Sequence, residues 1–249
     1  MPETPFLSVC IPSYAMGGQG AAFLQQSLDV LAGQDFSDFE VIVADQSDDT
    51  EIRDLCAGYD TLTLHHVQTG HLKRQASANT NAAIEAARGK VVKVLFQDDF
   101  MNGSEALAQI AAVFQNADWC LTGSAHTHDG TRLIRPMVPR YHDRIHFGKN
   151  TVSSPSVLAF QREGAPRFDE NLVWLMDVDF YKQCADKWGA PAILPEPVVV
   201  NRLHPGQVSA GVDRSLVRRE LRYIRDKNAT NMTWGDWAHF LGRMSRTWI

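Results

Sequence analysis

Short apolar runs alternate along the chain with stretches of helical spacing. Predominantly apolar runs at 6–11, 39–44 and 91–96 read as buried strands, with a weaker one at 62–67. Between them, 21–31 carries the apolar spacing of a helix ended near Gly33, and 73–88 that of a helix closed by Gly89. Pro12 is expected to stop the first strand. Ser104 with Glu105 looks like the N-cap of a helix running to 114, after which 119–122 gives a short strand. Periodicity fades from 126 to 151, a long excursion or a short hairpin before a strand at 157–160. A helix at 177–188 ending at Gly189, a strand-like 197–203 and a polar turn at 204–206 follow. Strands alternating with helices predict an α/β fold with a largely parallel sheet. Beyond Asp213 the chain turns helical and basic, then aromatic, so the expected division is a main domain at 1–212 and a helical extension at 213–249.

Composition narrows the class. Of 249 residues, 44% are hydrophobic and 21% charged, which excludes disordered, collagen-like and coiled-coil classes. A net charge of -5 and a pI near 6.0 give no general attraction to nucleic acid, so any anion site must be local. Cys10, Cys56, Cys120 and Cys184 are too widely spaced for a zinc site or a disulfide framework, and reduced thiols fit them best. Neither a leader nor a run of membrane-spanning length is visible, and the expectation is a cytoplasmic protein.

Candidate chemistry sits where the apolar runs end. The run at 91–96 stops at Gln97, Asp98 and Asp99, and two adjacent carboxylates at a strand mouth suit a divalent ion that fills its shell with phosphate oxygens and water. A solvated turn is the alternative for this triplet taken alone. Asp45 with Asp48 and Asp49 closes the second run, and Asp177 with Asp179 opens a helix. A nucleotide sugar needs a polar site for base and ribose, neutralisation of its diphosphate, and a base for the acceptor's proton. Three acidic places match three needs.

In order along the chain, these stretches resemble the family 2 glycosyltransferases of GT-A fold. Residues 8–14, with Pro12, Ser13 and Tyr14, look like the family's opening strand beside the nucleotide. Residues 39–50, with Asp45, Ser47 and Asp48, are similar to its second strand and the loop that holds nucleobase and ribose. Residues 89–99 resemble the strand ending in the metal-binding Asp-x-Asp region, and 174–181 the start of the acceptor-side helix. The resemblance covers roughly 6–210 and departs at Phe96 and Gln97, which stand where many members carry acids, and at Met176, where a Glu is usual.

The resemblance implies a Rossmann-like core sheet flanked by helices and an inverting hexosyltransferase-like transfer from a nucleoside-diphosphate sugar, assisted by Mn²⁺ or Mg²⁺. It implies Asp177 as base with Asp179 as rival, Asp99 and His204 on the metal, Asp98 on the metal or the ribose, and Arg74, Lys73 or Arg202 on the diphosphate. The implied acceptor is a carbohydrate or lipid-linked hydroxyl, and the implied setting is cell-surface polysaccharide or glycolipid synthesis at the inner membrane face. Two rivals are a non-catalytic binding module, suggested by Phe96, and a sugar-phosphate nucleotidyltransferase, suggested by the Gly17-Gly18 loop. His126, His128 and Asp129 match a metal site in composition but read as a surface loop. The basic and aromatic tail is a candidate for peripheral membrane contact or for pairing two copies, packing back on the core being commoner.

Overall fold

Four parallel strands form one half of the sheet in the computed structural model, which describes residues 4–72, 75–207 and 211–247. They are β1 (Leu7–Ser13), β2 (Phe39–Asp45), β3 (Leu64–Gln68) and β4 (Val91–Val94), linked by α1 (Gly20–Ala32), α2 (Glu51–Ala57) and α3 (Ala76–Ala86). β1 is buried along its whole length, and its sequence is accordingly apolar at most positions rather than alternating. The one acid inside β2, Glu40, is fully buried. It accepts hydrogen bonds from Ser8 Oγ at 2.7 Å and from Arg88 N–H and Nε at 2.7 and 2.9 Å. A buried carboxylate needs such partners, and these tie the α3–β4 connection to the sheet.

Pro12 does not stop β1; it pairs in register with Ala44 of β2. Cys10 O accepts Leu95 N–H at 3.0 Å, and Pro12, two residues on, faces the same side at a level where β4 has ended. A residue without an N–H is harmless there.

The second half comprises β5 (Phe100–Met101), α4 (Ala106–Val113), β6 (Trp119–Thr127), β7 (Ile134–Met137), β8 (Leu158–Gln161), α5 (Met176–Trp188) and β9 (Ala192–Arg202). Strand order is β3-β2-β1-β4-β8-β6-β9-β5, with β7 paired to β6. β8 runs antiparallel to β4 and β6, β5 to β9 and β7 to β6, while β6 and β9 are parallel, so the sheet is parallel in its first half and mixed beyond β4. The 126–151 excursion opens as the β6–β7 hairpin, then makes a single 3₁₀ turn at Ile145–Phe147. No crossover helix lies in it, which is why β8 can return antiparallel.

Two further helices, α6 (Arg214–Asn228) and α7 (Trp234–Ser245), close the described chain. Leu221 and Ile224 of α6 and Phe240 of α7 belong to the same hydrophobic cluster as the sheet. Packing back on the core is thus the observed outcome for the tail, while the outward face of α7 leaves Trp234, Trp237 and Leu241 exposed. Among the described residues, no helix is long and apolar enough to cross a membrane.

Candidate active site

The carboxyl ends of β1, β2 and β4 converge where the order of connection reverses, the usual location of a ligand crevice in such sheets. Ser13 ends β1 fully buried and Tyr14 follows it, partly exposed. Gln97, which stands where the resemblance calls for an acid, clamps this corner: Tyr14 N–H donates to its Oε1 at 2.5 Å and its Nε2 donates to Tyr14 O at 2.9 Å. A carboxylate could not make the second bond. Gly20, opening α1, lies under the same corner, and a Cβ there would sit on the Tyr14 carbonyl oxygen and 2.9 Å from Gln97 Nε2. Gly20→Ala is therefore expected to lower stability by about 1–3 kcal/mol through overpacking against backbone, and to weaken any ligand bound beside Tyr14; chemical denaturation with ligand titration checks both.

At the end of β2, Asp45 is fully buried, its Oδ1 accepting Ser47 N–H at 2.8 Å and its Oδ2 lying 3.0 Å from His66 Nε2 on β3. It shapes the turn. Asp48 is exposed on the same loop. The hydroxyls of Ser13 and Ser47 are buried with no hydrogen-bond partner among the described residues. Buried polar groups are normally satisfied, so two orphaned hydroxyls at neighbouring strand ends fit a site that a polar ligand completes. Gln46 Nε2 reaches the carbonyls of Leu72 and Gln75 at 3.4 and 3.3 Å. Lys73 and Arg74, expected on the diphosphate, lie outside the described residues.

The two adjacent acids after β4 face different partners. Asp99 is buried and saturated: Oδ1 accepts Arg202 N–H at 3.0 Å, and Oδ2 accepts Asn201 Nδ2 at 2.8 Å and Ser154 Oγ at 3.1 Å. Burial first, and the neighbouring Asp98 second, push its carboxyl above the ordinary range. Asp98 is half-buried, and its Oδ2 lies 3.0 Å from His204 Nε2. His204, expected to share a metal with Asp99, thus faces Asp98. Its other nitrogen, Nδ1, is buried without a partner among the described residues. Arg202 turns inward, Nε on Asp98 O at 3.2 Å, its guanidinium bonded to Gln26 and 4.7 Å from the Phe23 ring, so it braces the acidic turn. Among the described residues, no group of three or more His, Cys, Asp or Glu converges. The pair Asp98 and His204, one oxygen and one nitrogen, suits an ion that takes most of its shell from phosphate and water.

Across the site, Asp177 sits in the first turn of α5, 8% exposed. Its Oδ1 accepts Val178 N–H at 2.8 Å and its Oδ2 accepts Asn150 Nδ2 at 2.8 Å. Burial nevertheless outweighs these bonds, and the carboxyl is pushed up to about 7. Asp179, its rival, is buried and occupied: Oδ2 accepts Lys227 Nζ and Gln183 Nε2, both at 2.8 Å. Lys227 also holds Asp169 at 2.7 Å. A single loop spans both acidic centres, because Asn150 holds Asp177 while Ser154 holds Asp99. Between them Ser153 adopts φ +113°, a conformation that costs a non-glycine residue about 1–3 kcal/mol and tends to occur at functional sites.

The sequence reading missed Asn150, Ser154 and Asn201, polar residues with no motif around them. It also missed Glu220. Of the residues expected on a surface loop, His126 instead lies in β6, paired with Ile134 of β7 and its Nδ1 3.2 Å from the Arg135 carbonyl, whereas Asp129 is on the hairpin loop, its carboxylate accepting Thr131 and Arg132 N–H at 2.8 Å each.

The pattern of the family described as glycosyl transferase family 2 matches residues 8–180. Among solved structures, S. aureus TarS 1-349 in complex with UDP-GlcNAc is similar at 21% identity and a TM-score of 0.73, over 96% of this chain and 72% of that one. The mannosyltransferase PcManGT from Pyrobaculum calidifontis, in complex with GDP-Man and Mn2+, is similar at 18% identity and a TM-score of 0.65, over 99% of this chain and 70% of that one. No protein of curated function matches. The structural likenesses show a shared GT-A fold, and the matched span, which contains β1, the acidic turn after β4 and the start of α5, establishes that the chain belongs to glycosyl transferase family 2.

Proposed function

We propose that this chain moves a sugar from a nucleoside-diphosphate sugar to an acceptor hydroxyl with inversion at the anomeric carbon, Asp177 taking the acceptor's proton. The observation that carries this is one loop, 150–154, that joins two centres: Asn150 holds the buried Asp177, and Ser154 holds Asp99 in the acidic turn whose other acid, Asp98, faces His204. A base at one end of a site and a cation-binding pair at the other is what single displacement of a diphosphate requires. Two structural neighbours hold nucleotide sugars, which supports that donor class here.

On this reading the orphaned hydroxyls of Ser13 and Ser47 receive base or ribose atoms, Tyr14 and Pro12 form a wall, and Asp45 keeps the loop with Asp48 in place. Asp98 and His204 would hold Mn²⁺ or Mg²⁺, whose contribution when bound is to offset the negative charge of the departing diphosphate. Asp99 holds the acidic turn against β9, and Asp179 fixes α5 to Lys227. The acceptor is a carbohydrate or lipid-linked hydroxyl, in polysaccharide or glycolipid assembly.

The direct test is transfer or hydrolysis from a panel of UDP- and GDP-linked sugars, with and without manganese. Absence of turnover together with absence of metal-dependent nucleotide binding would sink the reading. Binding without turnover, even with the correct acceptor, would favour a non-catalytic module. A pH profile tests the base separately. Asp177 must be ionised to accept a proton, and its carboxyl lies near 7, so kcat is expected to rise with pH through about 7 and level off above it. A profile already flat from pH 5 upward contradicts the assignment.

A further inference from the structure

α6 presents a polar face to the turn that precedes Asp177. Glu220, Tyr223 and Lys227 stand at i, i+3 and i+7, so they share one side of the helix beside the buried Leu221 and Ile224. Glu220 is almost completely buried and receives three consecutive backbone donors: Val173 N–H on Oε1 at 2.8 Å, then Trp174 and Leu175 N–H on Oε2 at 3.0 and 2.8 Å. Leu175 is the N-cap of α5, and Asp177 follows two residues later. Tyr223 OH donates to Asp169 Oδ2 at 2.9 Å and Lys227 bridges Asp169 and Asp179, so the whole 169–179 segment is pinned to one helix. α6 lies outside the residues that match the family.

We propose that Glu220 is a positioning residue for transfer: it locks the 173–175 turn and thereby fixes where the Asp177 carboxylate stands and what charge it faces. The proposal rests on Asp177 acting as base. Three donors on one buried carboxylate are charge-assisted bonds, stronger than neutral ones and directional enough to hold a turn. Ser77 Oγ on the Leu172 carbonyl at 2.7 Å and the burial of Leu172 and Leu175 hold the ends of the same turn, and Glu220 takes its three consecutive N–H groups. Glu220 also adds a like charge, which raises the Asp177 carboxyl beyond what burial does. The polar groups facing Asp177 are Glu220 from α6, Tyr181 from α5 itself and Asn150 from the loop.

The experiment combines steady-state kinetics with a carboxyl-carbon NMR titration of Asp177, whose signal is assigned by its loss in Asp177→Asn. Glu220→Gln keeps the shape but removes the charge and turns an NH₂ toward a backbone N–H. It is expected to lower kcat by about tenfold, leave the donor KM within about twofold, and move the Asp177 titration to lower pH. Glu220→Asp keeps the charge but withdraws it by one methylene, so kcat should be intermediate with the titration near native. Glu220→Gln with native kcat and an unmoved titration overturns the proposal, even if its Tm falls, since a purely structural brace would behave that way. Should Glu220→Gln not fold, native kcat in Glu220→Asp overturns it equally. Failure of the underlying reading shows elsewhere: Asp177→Asn at native rate removes the base, while the titration still reports whether Glu220 sets the Asp177 environment.

Discussion

Asp177→Asn is expected to lower turnover by about 10²–10⁴-fold, the usual contribution of a positioned general base, while leaving nucleotide-sugar affinity unchanged. The substitution preserves size and the oxygen that accepts Val178 N–H, and it removes a carboxylate that burial already disfavours. Stability should therefore hold or rise slightly, the Asn150 amide losing one acceptor and the site losing one buried charge. Donor binding is expected to be spared because the hydrogen bonds of Asp177 among the described residues go to Asn150 and Val178, not to the ends of β4 or β9. Asp179→Asn is the control. It breaks the bond to Lys227 and should appear as a lower Tm with a smaller kinetic defect, since it leaves a half-buried ammonium with one fewer carboxylate. Single-turnover kinetics with calorimetric donor titration separates the two. Full activity in Asp177→Asn would move the base elsewhere.

Asp98→Asn is expected to abolish metal-dependent nucleotide binding with little change in stability, and Asp99→Ala to do the reverse. Adjacent in sequence, the two acids have opposite surroundings. The Asp98 carboxylate faces an imidazole at 3.0 Å at the edge of the crevice. Asp99 satisfies Arg202 N–H, Asn201 Nδ2 and Ser154 Oγ in the interior. Removing Asp99 orphans those buried donors at about 1–3 kcal/mol each, so the protein should melt earlier whether or not nucleotide is present. Removing the Asp98 charge instead deletes a ligand. A nucleoside diphosphate with manganese at about 100 times its Kd stabilises the native state by about 2.7 kcal/mol, and that increment should vanish in Asp98→Asn and in His204→Ala. Thermal shift with and without manganese reads both effects in one plate. If Asp99→Ala lost the metal-dependent increment at unchanged Tm, the division between the two acids would be reversed.

How much of this was legible beforehand depends on how local each feature is. The runs at 39–44 and 91–96 announced β2 and β4 because a strand covered on both faces is apolar at nearly every position, with Glu40 and Lys93 the buried exceptions, and that constraint is written in consecutive residues. The helices at α1 and α5 showed for the same reason, through their 3.6-residue spacing. Ser104 was a weaker guide: its hydroxyl bonds Asp35 rather than capping α4, because a partner from another loop outcompeted the helix end. The short helix α2 carried too few turns for a pattern to accumulate.

Sequence by itself determined the family, the strand–helix alternation of the first half and the presence of acids at three strand or helix ends, since each follows from neighbours along the chain. Tertiary structure alone decided what those acids do. Asp98 meets His204 while Asp99 meets Asn201, Arg202 and Ser154; Asp177 meets Asn150 near the turn that Glu220 holds, while Asp179 meets Lys227 and Gln183. A carboxylate's role is set by its burial and by the groups that face it, and both come from packing.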